Sequence, residues 1–174
     1  MRTTLLTALA CVVWFQALPA KAQEMPKPGP EQEKLHQFVG DWDVTISMAG
    51  QEMKGTATYK MGLGNFFLFE EFQGDLGGMK FHGKGMTGYD PLRKTYIATW
   101  ADSMSPSLMV MHGHFSNDGK TYTEEGEGPG MDGKLTKMKS VVQLKEKDHF
   151  VFTMYTVADG KDTEMMKLTY TRKK

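Results

Sequence analysis

Two histidines, His112 and His114, flank Gly113 in a run that alternates apolar and polar residues. On a strand, residues two apart point the same way, so both imidazoles share one face with Leu108 and Val110. With those apolar neighbours an inward orientation is expected, and two imidazoles on one face can begin a Zn, Cu or haem site. The third ligand is left open among His82, His36, His149, Asp102 and a methionine. Met104, Met109 and Met111 lie close by in the chain, and Met165-Met166 lies near its end. Thioethers suit Cu(I), but methionine also fills irregular cores and adaptable apolar pockets. Because these methionines are scattered along the chain, core or pocket filling is the more economical reading. For His112 and His114 the plain alternative is two polar residues near a strand end.

A second constellation lies in Gly83 to Ser103, which reads as a hairpin turning at Asp90-Pro91-Leu92-Arg93. Tyr96, Trp100 and Asp102 share one face of its second strand and can line a cavity, with Asp102 as polar anchor. Together with Tyr59 and His112 they form the candidate ligand-binding set. Tyr89 and Asp90 are assigned to the structure of the turn. Ser103, Ser105 and Ser107 stand near Asp102 and His112, but the G-x-S-x-G elbow of a hydrolase is missing. The glycine runs at 74–78 and 83–85 lack the strand-then-helix context of a phosphate cradle. Glycines 83, 85 and 88 read instead as points where the sheet curves. Glu124, Glu125 and Glu127 read as a solvated rim, without the alternating ligands of a calcium loop. Binding is therefore favoured over catalysis, and no catalytic residue is assigned.

The elements that must position these residues are short strands. From Asp41 the apolar period is two: Trp42, Val44, Ile46 and Met48 alternate with polar residues. Similar runs follow, separated by Gly, Asp and Asn turns, with Met53, Ala57, Tyr59 and Met61 sharing a face of the second. Phe66 to Gln73 is apolar on both faces, so its outer face calls for the helix or a second subunit as cover. Pro106 is expected in a connection before a strand at Ser107–Phe115, since proline is unwelcome inside a ladder. Gly128 to Gly133 is expected to be a loop. About ten strands result, joined by turns too short for a parallel crossover. An all-β, antiparallel closed barrel follows, with one short helix over Glu31–Val39, begun near Pro30 and stopped by Gly40.

The first 22 residues read as a removable signal peptide: a basic start at Arg2, an apolar Leu5–Leu18 core and the small residues Ala20 and Ala22. Residues 23–30 form a proline-rich leader, and 31–174 a single barrel domain. The expected location is the periplasm or the exterior. Cys11, the one cysteine, leaves with the signal, so the mature chain has neither thiol chemistry nor disulfides. Charge stays near balance, no basic patch suggests nucleic acid, and no apolar segment of the mature chain is long enough for a transmembrane helix. Monomer and homodimer both remain open.

Gly40-Asp41-Trp42, placed between the helix and the first strand, resembles the G-x-W signature of lipocalins and other calycin barrels. That resemblance implies that Trp42 closes one end of the barrel near an arginine of the last strand, here Arg172. Gly40, Trp42 and Arg172 are structural on this reading. More specifically, the chain resembles the bacterial DUF1579 family through L-H-Q-F-V-G-D-W-D-V at 35–44, G-K-G-M-T-G-Y-D at 83–90, K-T-Y-I-A-T-W-A-D-S at 94–103 and L-T-Y-T-R-K at 168–173. The family resemblance transfers no catalytic residue, and the lipocalin likeness implies a ligand-holding role. A binding protein for a small apolar or amphipathic molecule is the leading expectation. A metal- or haem-binding protein using His112 and His114, and a structural barrel with a packed interior, are the alternatives.

Overall fold

The computed structural model describes residues 25–130 and 133–174; the expected signal peptide and cleavage site lie outside them. Ten strands follow the N-terminal helical segment: β1 (Gly40–Met48), β2 (Gln51–Gly62), β3 (Phe67–Leu76), β4 (Met79–Asp90), β5 (Thr95–Asp102), β6 (Ser105–Phe115), β7 (Thr121–Pro129), β8 (Leu135–Glu146), β9 (His149–Ala158) and β10 (Lys161–Arg172). Each pairs antiparallel with its sequence neighbour, and β1 pairs with β10 from Trp42↔Arg172 to Met48↔Met166. The sheet thus closes on itself and leaves no open edge. The expected all-β closed antiparallel barrel of about ten strands is what forms.

The expected helix is a single α turn, Pro30–Glu33, followed by a 3-10 turn, Lys34–Phe38. It plugs one end of the barrel by sinking Leu35 and Phe38 into the core, so cover for β3 comes from elsewhere. Phe67 lies over Gly88 and Phe69 over Gly62, where a Cβ would come within 2.4 and 2.8 Å of the rings. The outer phenylalanines are therefore seated on glycines of the neighbouring strands. Gly83 does the same on the inner face, since its Cβ would fall 2.1 Å from Cζ2 of Trp100. The β4–β5 ladder runs without a break from Gly83↔Asp102 to Asp90↔Thr95. These glycines provide room for aromatic rings and do not mark bulges. Gly83→Ala should lower stability by about 1–3 kcal/mol through the forced shift of Trp100, measured by urea titration with indole emission as readout.

Two proline positions also differ from expectation. Pro106 lies inside β6 because the ladder shifts register between Trp100 and Asp102, leaving it without a Cα partner. Pro129 closes β7 opposite Leu135, so Gly128 and Pro129 belong to a strand.

The closed end is built around Trp42, 1% exposed. Its indole N–H donates to the Phe38 carbonyl at 2.8 Å, and Phe150 meets its ring edge-on at 4.7 Å. The Arg172 guanidinium lies 4.1 Å from the ring centroid. Its nitrogens donate to Asp148 Oδ1 (2.9 Å), to the Gln37 carbonyl (3.1 Å) and to the Val39 carbonyl. Gly40 makes this possible. Its φ is +138°, and a Cβ there would fall 2.3 Å from Arg172 Nη1.

Candidate functional site

Strand alternation divides the sequence-derived candidates. Tyr96, Ala98, Trp100 and Asp102 of β5 face inward, paired with Tyr89, Thr87, Gly85 and Gly83 of β4. Met109, Met111 and Gly113 of β6 stand opposite Trp100, Ala98 and Tyr96, so they share the inner face. His112 and His114 have the opposite parity and are exposed on the outer wall, along with Val110 and Leu108. The expected inward orientation of these imidazoles is corrected: the apolar neighbours that suggested it are themselves exposed. Among the described residues, no three His, Cys, Asp or Glu side chains gather as a metal-binding group.

Asp102 receives the Trp100 indole N–H at 3.0 Å and the backbone N–H groups of Met104 and Ser105 at 2.9 and 3.1 Å. It therefore holds the β5–β6 turn and orients Trp100, whose ring stacks on Phe81 at 6.4 Å. Ser103 and Ser105 accept backbone N–H groups from His82 and Ser107. His112 pairs with Ile97, five residues along the ladder from Asp102 and on the opposite face. A Ser-His-Asp arrangement does not assemble from these residues.

Tyr96 reaches the helical plug. Its hydroxyl donates to the Glu31 carboxylate at 2.7 Å and lies 2.9 Å from the Glu31 carbonyl. The Lys34 ammonium, then this hydroxyl, hold the Glu31 carboxyl below its usual range. Tyr89 packs against Tyr96 at 5.0 Å. Asp90 accepts the Leu92 and Arg93 N–H groups at 2.8 and 3.1 Å across the turn.

The middle of the lumen holds two carboxyls that the residue pattern did not single out. Glu70 lies between Leu68 and Phe72 on the inner face of β3, opposite Tyr59 of β2 and Gly85 of β4. Tyr59 and Tyr170 hydrogen-bond to it. Burial pushes the Glu70 carboxyl up to about 7 against the downward pull of these hydroxyls, with help from the negative charge of Glu124. Glu124 is 8% exposed, and its two oxygens accept from Tyr122 (2.6 Å) and Ser140 (2.9 Å). Burial again raises its pKa. The reading of Glu124 as part of a solvated rim is corrected: Glu125 and Glu127 are exposed, but Glu124 has inward parity and a dedicated pair of donors. The signal that marks both is an acid on a strand's apolar parity. For Glu124 a serine lies opposite on the next strand.

Toward the open end the wall becomes thioether-rich. Met111, Met138 and Met154 are buried together, with Met109, Met165, Met166 and Phe152 packed against them. Residues far apart in the chain thus form one soft, adaptable apolar surface.

Comparison with known proteins places the chain as follows. The family model described as protein of unknown function (DUF1579) matches residues 27–172. None of the curated proteins matches. Among solved structures, the chain is similar to Rv2717c from M. tuberculosis, with 16% identity over 84% of this chain and 99% of that one and a TM-score of 0.60. It is also similar to the S-type phycobiliprotein lyase CPES from Guillardia theta, with 13% identity over 83% and 93% and a TM-score of 0.57. A redesigned β barrel, mFAP1 bound to DFHBI, aligns at 16% identity over 80% and 98% with a TM-score of 0.45. At these identities the likeness is one of fold.

Proposed function

We propose that this chain, which belongs to the DUF1579 family of unknown function, is an extracytoplasmic binding protein that holds a small apolar or amphipathic molecule in its barrel lumen. One observation carries the reading. Inward-facing side chains in the middle and mouth of the barrel, among them Glu70, Ala98, Trp100, Met109, Phe152 and Met166, remain only partly covered although the wall around them is continuous. A filled core covers such residues as completely as Trp42 and Phe150 are covered at the plugged end. These partly covered residues combine apolar and thioether side chains with the Glu70 carboxyl, the composition of a small-molecule site, and stand beside the buried trio Met111, Met138 and Met154. The extracytoplasmic part rests on the basic start, apolar core and small-residue cleavage pattern of the first 22 residues. The closed wall offers no strand edge for β-pairing with a second chain.

The test is uptake of a neutral solvatochromic dye, Nile red, with native mass spectrometry of protein isolated from its own host. A blue-shifted, saturable emission and a co-purifying mass of a few hundred daltons are expected (a drug-sized occupant of such a site). Ala98→Trp places an indole between Thr87 and Met111 in mid-lumen. It should cut dye affinity at least tenfold while the β-sheet circular dichroism persists. A wild-type protein that takes up neither dye nor co-purifying molecule would show the interior to be packed, and the ligand reading would fall.

A further inference from the structure

Resting on the lumen-binding reading, we infer the charge class of the occupant: an apolar body carrying a cationic, ammonium-type head, with carboxylate amphiphiles disfavoured. The observation is the sign of the inward-facing positions of the wall. Short of the hairpin tips, and among the described residues, the inward positions from Val44 on β1 round to Leu168 on β10 carry two carboxyls, Glu70 and Glu124, and no Lys, Arg or His. At the tips around the mouth, Asp102 stands at the β5–β6 turn and Lys161 at the β9–β10 turn. Arg172 has inward parity but is stacked on Trp42 at the plugged end and committed to Asp148 and three backbone carbonyls. Lysines of the same strands, such as Lys54, Lys84 and Lys139, have outward parity and bind Thr45, Glu71 and Asp162 on the surface.

The three acids differ in what they can offer. Asp102 is occupied by three N–H donors at the mouth. Glu124 is covered and satisfied at both oxygens. Glu70 lies deep in the barrel, takes the Tyr59 and Tyr170 hydroxyls, and, unlike Glu124, keeps some uncovered surface. A glycine stands opposite it: a Cβ on Gly85 would sit 3.3 Å from both Glu70 Oε2 and Trp100 Cε3. Carboxyl and indole face thus lie side by side, closing over Gly85. A carboxylate beside an aromatic face is a pairing suited to an alkylammonium. The same field repels a fatty carboxylate, which finds no countercharge here and loses its hydration on entry. Facing Glu70 are the hydroxyls of Tyr59 and Tyr170 and, across the lumen, the carboxyl of Glu124. Both tyrosines stay neutral, since burial raises their pKa values further. An ammonium head is therefore best held when Glu70 is ionised, and alkylamine affinity should rise between pH 6 and pH 8.

The experiment compares dodecylamine, dodecanol and dodecanoate, each below its micelle threshold, as competitors of Nile red and by direct calorimetric titration. At pH 8 dodecylamine should displace the dye at concentrations at least tenfold below those of dodecanol, with dodecanoate weakest. Glu70→Gln should bring the amine-to-alcohol affinity ratio from at least tenfold down to about one. The amine's advantage should shrink at pH 6. Equal competition by all three, or a stronger effect of dodecanoate, would overturn the charge assignment and leave the lumen-binding reading standing. If neither dye nor alcohol binds and dodecylamine gives no calorimetric signal, both readings fall together. An amine advantage that survives in Glu70→Gln would overturn the assignment of Glu70 as its partner.

Discussion

Trp42→Ala is expected to lower the stability of the barrel by about 3–5 kcal/mol, the range for truncating a buried large aromatic side chain. The loss has three sources. The indole is almost wholly buried, so its removal opens a cavity under the helical plug. Its N–H satisfies the Phe38 carbonyl, which would be left without that donor. It is also the surface on which the Arg172 guanidinium rests. Arg172→Ala should itself cost about 2–3 kcal/mol, since it removes charge-assisted hydrogen bonds to Asp148 and to the carbonyls of Gln37 and Val39. Because both residues serve the same plug, the double variant should cost less than the sum of the single ones, and a double-mutant cycle by urea denaturation measures that coupling. Arg172→Lys should restore only part, because an ammonium lacks the planar fork that reaches three acceptors while lying on a ring. Strict additivity would show that the two residues act separately and that the plug is not one unit.

The same corner of the molecule shows what a sequence can and cannot announce. Gly40, Trp42 and Arg172 were legible through a resemblance, G-x-W at the start of an alternating strand with an arginine on the last one, and the positive φ of Gly40 and the Trp42↔Arg172 register give it a physical basis. The barrel itself was legible because strand alternation and short turns are local properties. The lumen was only partly so. Parity along β5 identifies the face shared by Tyr96, Trp100 and Asp102, but parity alone does not say which face is inside. On β6 the run Leu108, Val110, His112 and His114 offers two apolar residues to one face, while Met109, Met111, Gly113 and Phe115 offer three apolar side chains and a glycine to the other. The register with β5 puts the second set inward. Glu70 is hidden by its neighbours in a different way. It interrupts an apolar run, and only the ladder that brings Tyr59 beside it, with Tyr170 approaching from β10, turns an apparent interruption into a buried acid with its own donors. The methionine wall depends on β6, β8, β9 and β10 meeting around a closed sheet, a long-range outcome that no single strand reports.

Glu70 also gives the largest pH effect to be expected of this fold. Its carboxyl is raised from an ordinary 4.5 to about 7 in the folded barrel, so the folded state binds this proton more tightly than the unfolded chain does. The associated stability is fully present below about pH 4.5 and is lost as pH rises through about 7, levelling off above it. A shift of that size corresponds to about 3 kcal/mol, an upper figure because water entering the lumen would screen part of it. Glu70→Gln removes the ionisation and retains a side chain able to accept from Tyr59 or Tyr170. The variant should match the wild type below about pH 4 and become progressively more stable than it toward pH 8, by up to about 3 kcal/mol. The acids held low by their partners, Glu31, Glu71, Asp75, Asp90 and Asp118, act in the opposite direction, withdrawing stability as pH falls toward and below the ordinary carboxyl range. They are common to both proteins, so the difference between variant and wild type across pH 5–8 reports Glu70 together with its charge coupling to Glu124. Urea midpoints at half-unit pH steps provide the measurement. If the two curves run parallel over that range, Glu70 is ionised and hydrated in the folded barrel, and the lumen around it is wetter than its enclosure by Tyr59, Tyr170 and Glu124 implies.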